Sequence, residues 1–171
     1  MASLEIKPEK GLRGLLPFIS TLVLVLLMQI QYRLFFLDNI FPFLSLISVY
    51  YWSIFKPRLM PVAAVFLLGL LQDILSGGPL GMMALLLVLV QIFVVRQGRR
   101  FLEKEFLFNW LVFIFVALLF GLSNWVIASI YLKETQNFLN SFGQSMLTIA
   151  IFPGVAWALS WVRYLLVTEN R

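Results

Sequence analysis

Residues Leu70–Gly81 read "LLQDILSGGPLG". An apolar run places a carboxylate, Asp73, near its end, and three residues later the chain meets Ser76, Gly77, Gly78 and Pro79 before a second apolar run begins. Gly and Pro at that density turn a chain. The stretch therefore predicts two apolar helices folded into a tight hairpin, with a single acid beside the bend.

Composition sets the solvent for that hairpin. The chain has 171 residues, 61% of them hydrophobic and 12% charged, with mean hydropathy +0.95. Soluble domains carry roughly 25% charged residues. This chain has too little polar surface to face water, which predicts an integral membrane protein. Residues 1–171 read as one membrane domain and 1–14 as a short basic cytoplasmic tail. Cysteine and histidine are both absent, which removes disulfides, thiolate nucleophiles, imidazole bases and the common metal ligands together. The remaining acids lie mostly at segment ends, so no catalytic residue, metal site or cofactor is expected. A membrane enzyme ranks last among the readings.

The net charge of +5 points to topology rather than nucleic acid, because Lys and Arg occur in small groups between apolar runs. Six such runs extend approximately over Leu15–Ile30, Ile40–Phe55, Leu59–Leu75, Leu80–Val95, Phe106–Leu132 and Phe142–Val167. The last two have length to spare for a spanning helix of roughly 17–25 residues, and the first four fall at the lower limit. No small-residue cleavage site follows Ile30, so the first run reads as an uncleaved helix. With the N-terminus inside, only Arg33 and Lys133 of the 13 basic residues fall outside. The expectation is an all-α bundle of six transmembrane helices with both ends cytoplasmic. Tyr50, Tyr51 and Trp52, with Trp110, Trp157, Trp161 and Tyr164, are expected to form the inner aromatic belt, and Tyr32 and Tyr131 the outer one. Pro153 is expected to kink the sixth helix. "RQGRRFLEKE", Arg96–Glu105, reads as a basic cytoplasmic loop that fixes orientation and lies near membrane lipid.

Asp73 falls near the outer end of the third helix, where an acid facing lipid would be costly. Its simplest role is a staple. The carboxylate would accept hydrogen bonds from Gly77, Gly78 and the following turn at the positive end of the fourth helix, while Gly77 or Gly78 supplies the left-handed residue that ends the third. A proton or cation site is the other reading, and it lacks a partner acid, His or intramembrane Lys. Two stripes of small residues also stand out: Ala117, Gly121, Asn124 and Ala128 on the fifth helix, and Ala150, Gly154 and Ala158 on the sixth. Small residues let helices approach closely in lipid. The two helices are expected to pack on each other through them, the alternative being that one stripe receives a partner's helix.

"FLLGLLQDILSGGPLGMMALLLVLV", Phe66–Val90, resembles the signature of the rod shape-determining MreD family at Gly69, Asp73, Ser76, Gly77 and Gly81, followed by Ala84. The chain length, Pro42 at the start of the second run and "YYW" near its end also fit. The resemblance implies a multi-pass protein of the bacterial inner membrane, similar in fold to the substrate-binding subunits of energy-coupling-factor transporters. It implies a non-enzymatic scaffold of the elongation complex that binds MreC, beside MreB, RodA and its transpeptidase partner, and supports cell shape and lateral peptidoglycan synthesis. The alternative it leaves is a small-solute, vitamin-like binding subunit or transporter. Against that, "LLPFISTLVLVLLMQI" lacks the Ala-x-x-x-Ala pair with which those subunits often dock.

Overall fold

The computed structural model describes residues 12–34, 41–102, 106–132 and 137–167. They form six α-helices: α1 (Leu16–Leu34), α2 (Leu44–Phe55), α3 (Val62–Ser76), α4 (Met82–Leu102), α5 (Phe106–Leu132) and α6 (Phe138–Val167). Two 3-10 turns, Leu12–Leu15 and Pro57–Leu59, complete the described elements, none of which is a strand. Lys7, Lys10, Lys104, Lys133 and Arg171 lie outside the described residues, as do the side chains of Arg13, Tyr32, Arg33, Arg99 and Arg100.

Proline and glycine set the boundaries. Pro17 sits in the first turn of α1, where a missing N–H goes unmissed, and its carbonyl accepts the Thr21 hydroxyl at 2.7 Å. Helix α2 stops at Phe55 because Lys56 precedes Pro57, and a residue before proline is pushed out of the helical region. Lys56 accordingly takes φ −143° and ψ 59°. Several boundaries differ from the expected runs, with α1 reaching Leu34 rather than Ile30 and α3 starting at Val62 rather than Leu59. Helix α2 has only 12 residues, about 18 Å of rise, and Phe41–Phe43 before it are not helical. Helix α6 starts at Phe138 rather than Phe142. Helix α4 continues to Leu102, so Arg96, Arg99 and Arg100 extend a helix and do not form a loop.

Helix α2 is the centre of the bundle. Every residue from Phe41 to Ile54 is buried, and α1, α4 and α6 pack around it, while α3 pairs with α4 and α5 with α6. A helix that is hydrophobic all round belongs inside. Tyr50, Tyr51 and Trp52 are therefore core residues, which corrects their placement in an aromatic belt. Two of the three find polar partners there. The Tyr50 hydroxyl donates to the Asn109 carbonyl at 2.9 Å, and the Trp52 indole donates to Ser20 Oγ at 3.0 Å. Phe43 meets Phe120 edge-on at 4.9 Å, and Phe113 stacks on Phe152 at 4.1 Å, so rings lock α2, α5 and α6 together.

The polarity of the bundle is that of a membrane protein. Thr21, Ser48, Gln72, Asp73, Gln91 and Thr148 are buried, whereas Leu85, Leu89, Leu111, Phe115 and Leu119 point outward. Soluble monomers rarely expose contiguous apolar surface on that scale. Two stretches, Leu107–Tyr131 and Phe138–Tyr164, are long and apolar enough to cross a membrane by themselves, and α1 to α4 carry shorter apolar stretches. Pro153 lies within α6. Having no N–H, it leaves the Ile149 carbonyl without its helical donor. The Trp110 indole supplies one from α5 at 3.4 Å.

Candidate functional site: the Asp73 hairpin and the helix faces

Helix α3 ends where Gly77 enters the left-handed region at φ +69°, its N–H donating to the Asp73 carbonyl at 3.1 Å. The Ser76 hydroxyl donates to the same carbonyl at 3.3 Å. Four residues further on, Gly81 takes φ +90°, and α4 begins with N–H groups that have no partner within their own helix. Asp73 answers them from the neighbouring helix. Its side chain is 2% exposed. One carboxylate oxygen accepts Gly81 N–H at 2.9 Å and Ala84 N–H at 3.4 Å, and the other accepts Met83 N–H at 3.0 Å.

The donors are thus not Gly77 and Gly78. Gly77 spends its N–H on capping α3, and the bend carries the chain round so that the start of α4, not the bend itself, faces the acid. Gly69 completes the closure one turn earlier. A Cβ at that position would run into the Ala84 Cα and lie 2.7 Å from the Ala84 nitrogen. Backbone cannot retreat from such a contact as a side-chain tip can, so α3 and α4 approach this closely only with glycine there. Gly78 is exposed and would tolerate a side chain, with only Ser76 Oγ near, at 3.6 Å. The Pro79 carbonyl accepts Met82 N–H at 3.2 Å, rounding the bend into α4. Beside Asp73, the buried Gln72 amide donates to Met28 Sδ at 3.8 Å and ties the hairpin to α1. Asp73 is the only acid among the described residues, and no metal-binding cluster occurs among them. The arrangement is a clamp: every polar atom of the carboxylate is engaged by backbone.

The two small-residue stripes have different fates. On α5, Ala117 and Gly121 are buried and Asn124 and Ala128 half-buried. A Cβ on Gly121 would collide with Ser145 Oγ, so this stripe is filled by α6. Its counterpart is not Ala150, Gly154 and Ala158. Those three are exposed, and nothing lies within 4 Å of a Cβ built on Gly154. Helix α6 meets the rest of the bundle through Ser145, Thr148 and Phe152, with Thr148 Oγ1 accepting the Phe43 N–H at 2.9 Å. Ser141 and Ser145 are themselves a small-x-x-x-small pair, and that spacing was the signal by which this face could have been found.

The chain matches the family model for the rod shape-determining protein MreD over residues 10–167. It belongs to the MreD family. That is a membrane protein family concerned with rod shape and not a known enzyme family. An uncharacterized protein of Rickettsia prowazekii (strain Madrid E) is 31% identical over 153 residues, covering 85% of this chain and 87% of the relative. No solved structure matches. The match to MreD spans the hairpin and both striped helices, so the clamp at Asp73 and the open face of α6 both lie within the region shared with the family.

Proposed function

We propose that the chain is a non-enzymatic scaffold of the rod complex in the bacterial inner membrane, crossing it six times with both ends cytoplasmic. In this reading it binds MreC and so supports lateral peptidoglycan synthesis, in company with MreB, RodA and the transpeptidase partner of RodA. The observation that carries the reading is the pair of stripes on α5 and α6. One is consumed in the fold, whereas Ala150, Gly154 and Ala158 are exposed, with nothing within 4 Å of a Cβ built on Gly154. Lipid gives little drive for helix association, and close backbone approach is what such a ladder offers a second helix. The MreC transmembrane helix is the proposed occupant. A solute-binding role draws nothing from Asp73, whose oxygens are occupied by backbone N–H groups.

Depleting the protein in its host tests the role. Rods are expected to become rounded cells and to recover when the wild-type chain is restored. Unchanged rod shape after full depletion would overturn it.

A further inference from the structure

A cavity of about 410 Å³ opens where α2 and α6 end and α5 begins. Its wall is largely apolar and aromatic, with Ile54, Phe55, Phe152 and Trp157 among the lining residues. Arg163 stands at one end of the α6 side of the wall. Arg163 holds its guanidinium carbon 4.3 Å over the centre of the Phe55 ring, and Phe55 packs against Tyr51 with ring centres 4.6 Å apart. Tyr51 lines the cavity, is 5% exposed, and its buried hydroxyl has no hydrogen-bond partner.

Depth in the membrane follows from the neighbours. Trp157, Trp161 and Tyr164 are each about two-thirds exposed on the last turns of α6. Exposed Trp and Tyr settle at the headgroup level of a bilayer, with the ring in the apolar region and the polar tip in the wet one. Arg163 therefore lies at headgroup depth, and the cavity runs from it toward Phe152, roughly 16 Å along the helix axis. A guanidinium offers five N–H donors suited to phosphate. Through its ring contact with Phe55, Arg163 is held at the mouth of a greasy slot. No carboxylate competes for it among the described residues, since Asp73 serves the α3–α4 hairpin.

We propose that this cavity is a binding site for one anionic phospholipid. Its phosphate is held by Arg163, and an acyl chain lies along Tyr51, Phe55, Ile54 and Phe152. A basic pocket between membrane helices, with aromatic walls, is the chemistry that selects an acidic headgroup over a zwitterionic one. The site is distinct from the Asp73 clamp, and on α6 its lining residues Pro153 and Trp157 adjoin Gly154 and Ala158 of the ladder.

The test is native mass spectrometry of the purified full chain, titrated with phosphatidylglycerol or phosphatidylcholine of matched acyl chains, and separately with inorganic phosphate. Phosphatidylglycerol is expected to be retained preferentially. Arg163→Gln is expected to weaken that retention roughly fivefold, the size of one basic residue's attraction to an anionic lipid surface, and Arg163→Lys to restore most of it. Ser160→Leu, which narrows the slot without touching the cation, is expected to reduce retention of both lipids. Thermal unfolding of each variant guards against misfolding, and Ser160→Leu keeps the proposal testable if Arg163→Gln fails to fold. Equal retention of the two lipids, or phosphatidylglycerol retention unchanged in folded Arg163→Gln or Ser160→Leu, would overturn it. So would displacement of the lipid by millimolar inorganic phosphate, which would mark a soluble-anion site.

Discussion

Asp73→Leu removes both oxygens that hold the start of α4. Two of the three hydrogen bonds are short, at 2.9 and 3.0 Å, and the third is marginal at 3.4 Å. Each backbone donor left buried without a partner costs about 1–3 kcal/mol. The start of α4 is only partly buried, so the lower half of that range applies, and a loss of about 2–4 kcal/mol is expected. Asn retains one acceptor oxygen. It can keep Gly81 and Ala84 but turns an NH₂ toward the Met83 N–H, which limits the loss to about 1–2 kcal/mol. For a chain of this size each kcal/mol lowers the Tm by roughly 2–4 °C. Thermal unfolding in detergent, followed by tryptophan fluorescence, should then drop by about 4–16 °C for Leu and about 2–8 °C for Asn. A Leu variant that melts with the wild type would refute the clamp. So would an Asn variant of unchanged stability that no longer supports rod shape, because that pattern belongs to a charge-dependent site.

Other outcomes follow from the same geometry. Gly69→Ala forces a Cβ into the Ala84 backbone and is expected to cost about 1–3 kcal/mol, whereas Gly78→Ala should leave the Tm nearly unchanged. Trp110→Phe strips the Ile149 carbonyl of the donor that compensates Pro153, an expected loss of about 1 kcal/mol by thermal unfolding. Reporter fusions after Lys104 and after Arg171 are both expected to read cytoplasmic, and a periplasmic signal at either would overturn the six-span topology.

Local chemistry was legible in the sequence wherever one residue decides it. The Ser-Gly-Gly-Pro bend, a left-handed glycine at position 77 or 78 and the presence of an acid at a helix start all follow from "LLQDILSGGPLG", and the structure selects Gly77. That Asp73 serves the turn opening α4 was legible, but that Gly77 and Gly78 stay out was not. That depends on how far the bend carries the chain, and Gly81 at φ +90° sets it. The "YYW" of α2 misled for a related reason: an amphipathic aromatic at a segment end suits an interface, but α2 is wrapped by α1, α4 and α6, a tertiary fact with no local signature. The stripes show the same limit. Ala117–Ala128 and Ala150–Ala158 both keep to one helix face, and only the rotation of α6, set by Ser145, Thr148 and Phe152 turning inward, makes one a packing face and the other an open one. The end of α4 was missed because Arg96 to Arg100 stop the apolar run without stopping the helix.

The decisive measurement for a scaffold is recovery of MreC with the tagged chain from native membranes, wild type against Gly154→Leu. Open space above Gly154 means the leucine fits without disturbing the bundle, so the variant should keep its wild-type Tm. MreC is expected to accompany the wild-type chain, and its recovery is expected to fall sharply with Gly154→Leu. Absence of MreC from the wild-type material would contradict the scaffold, and full recovery with Gly154→Leu would remove the α6 ladder as its docking face.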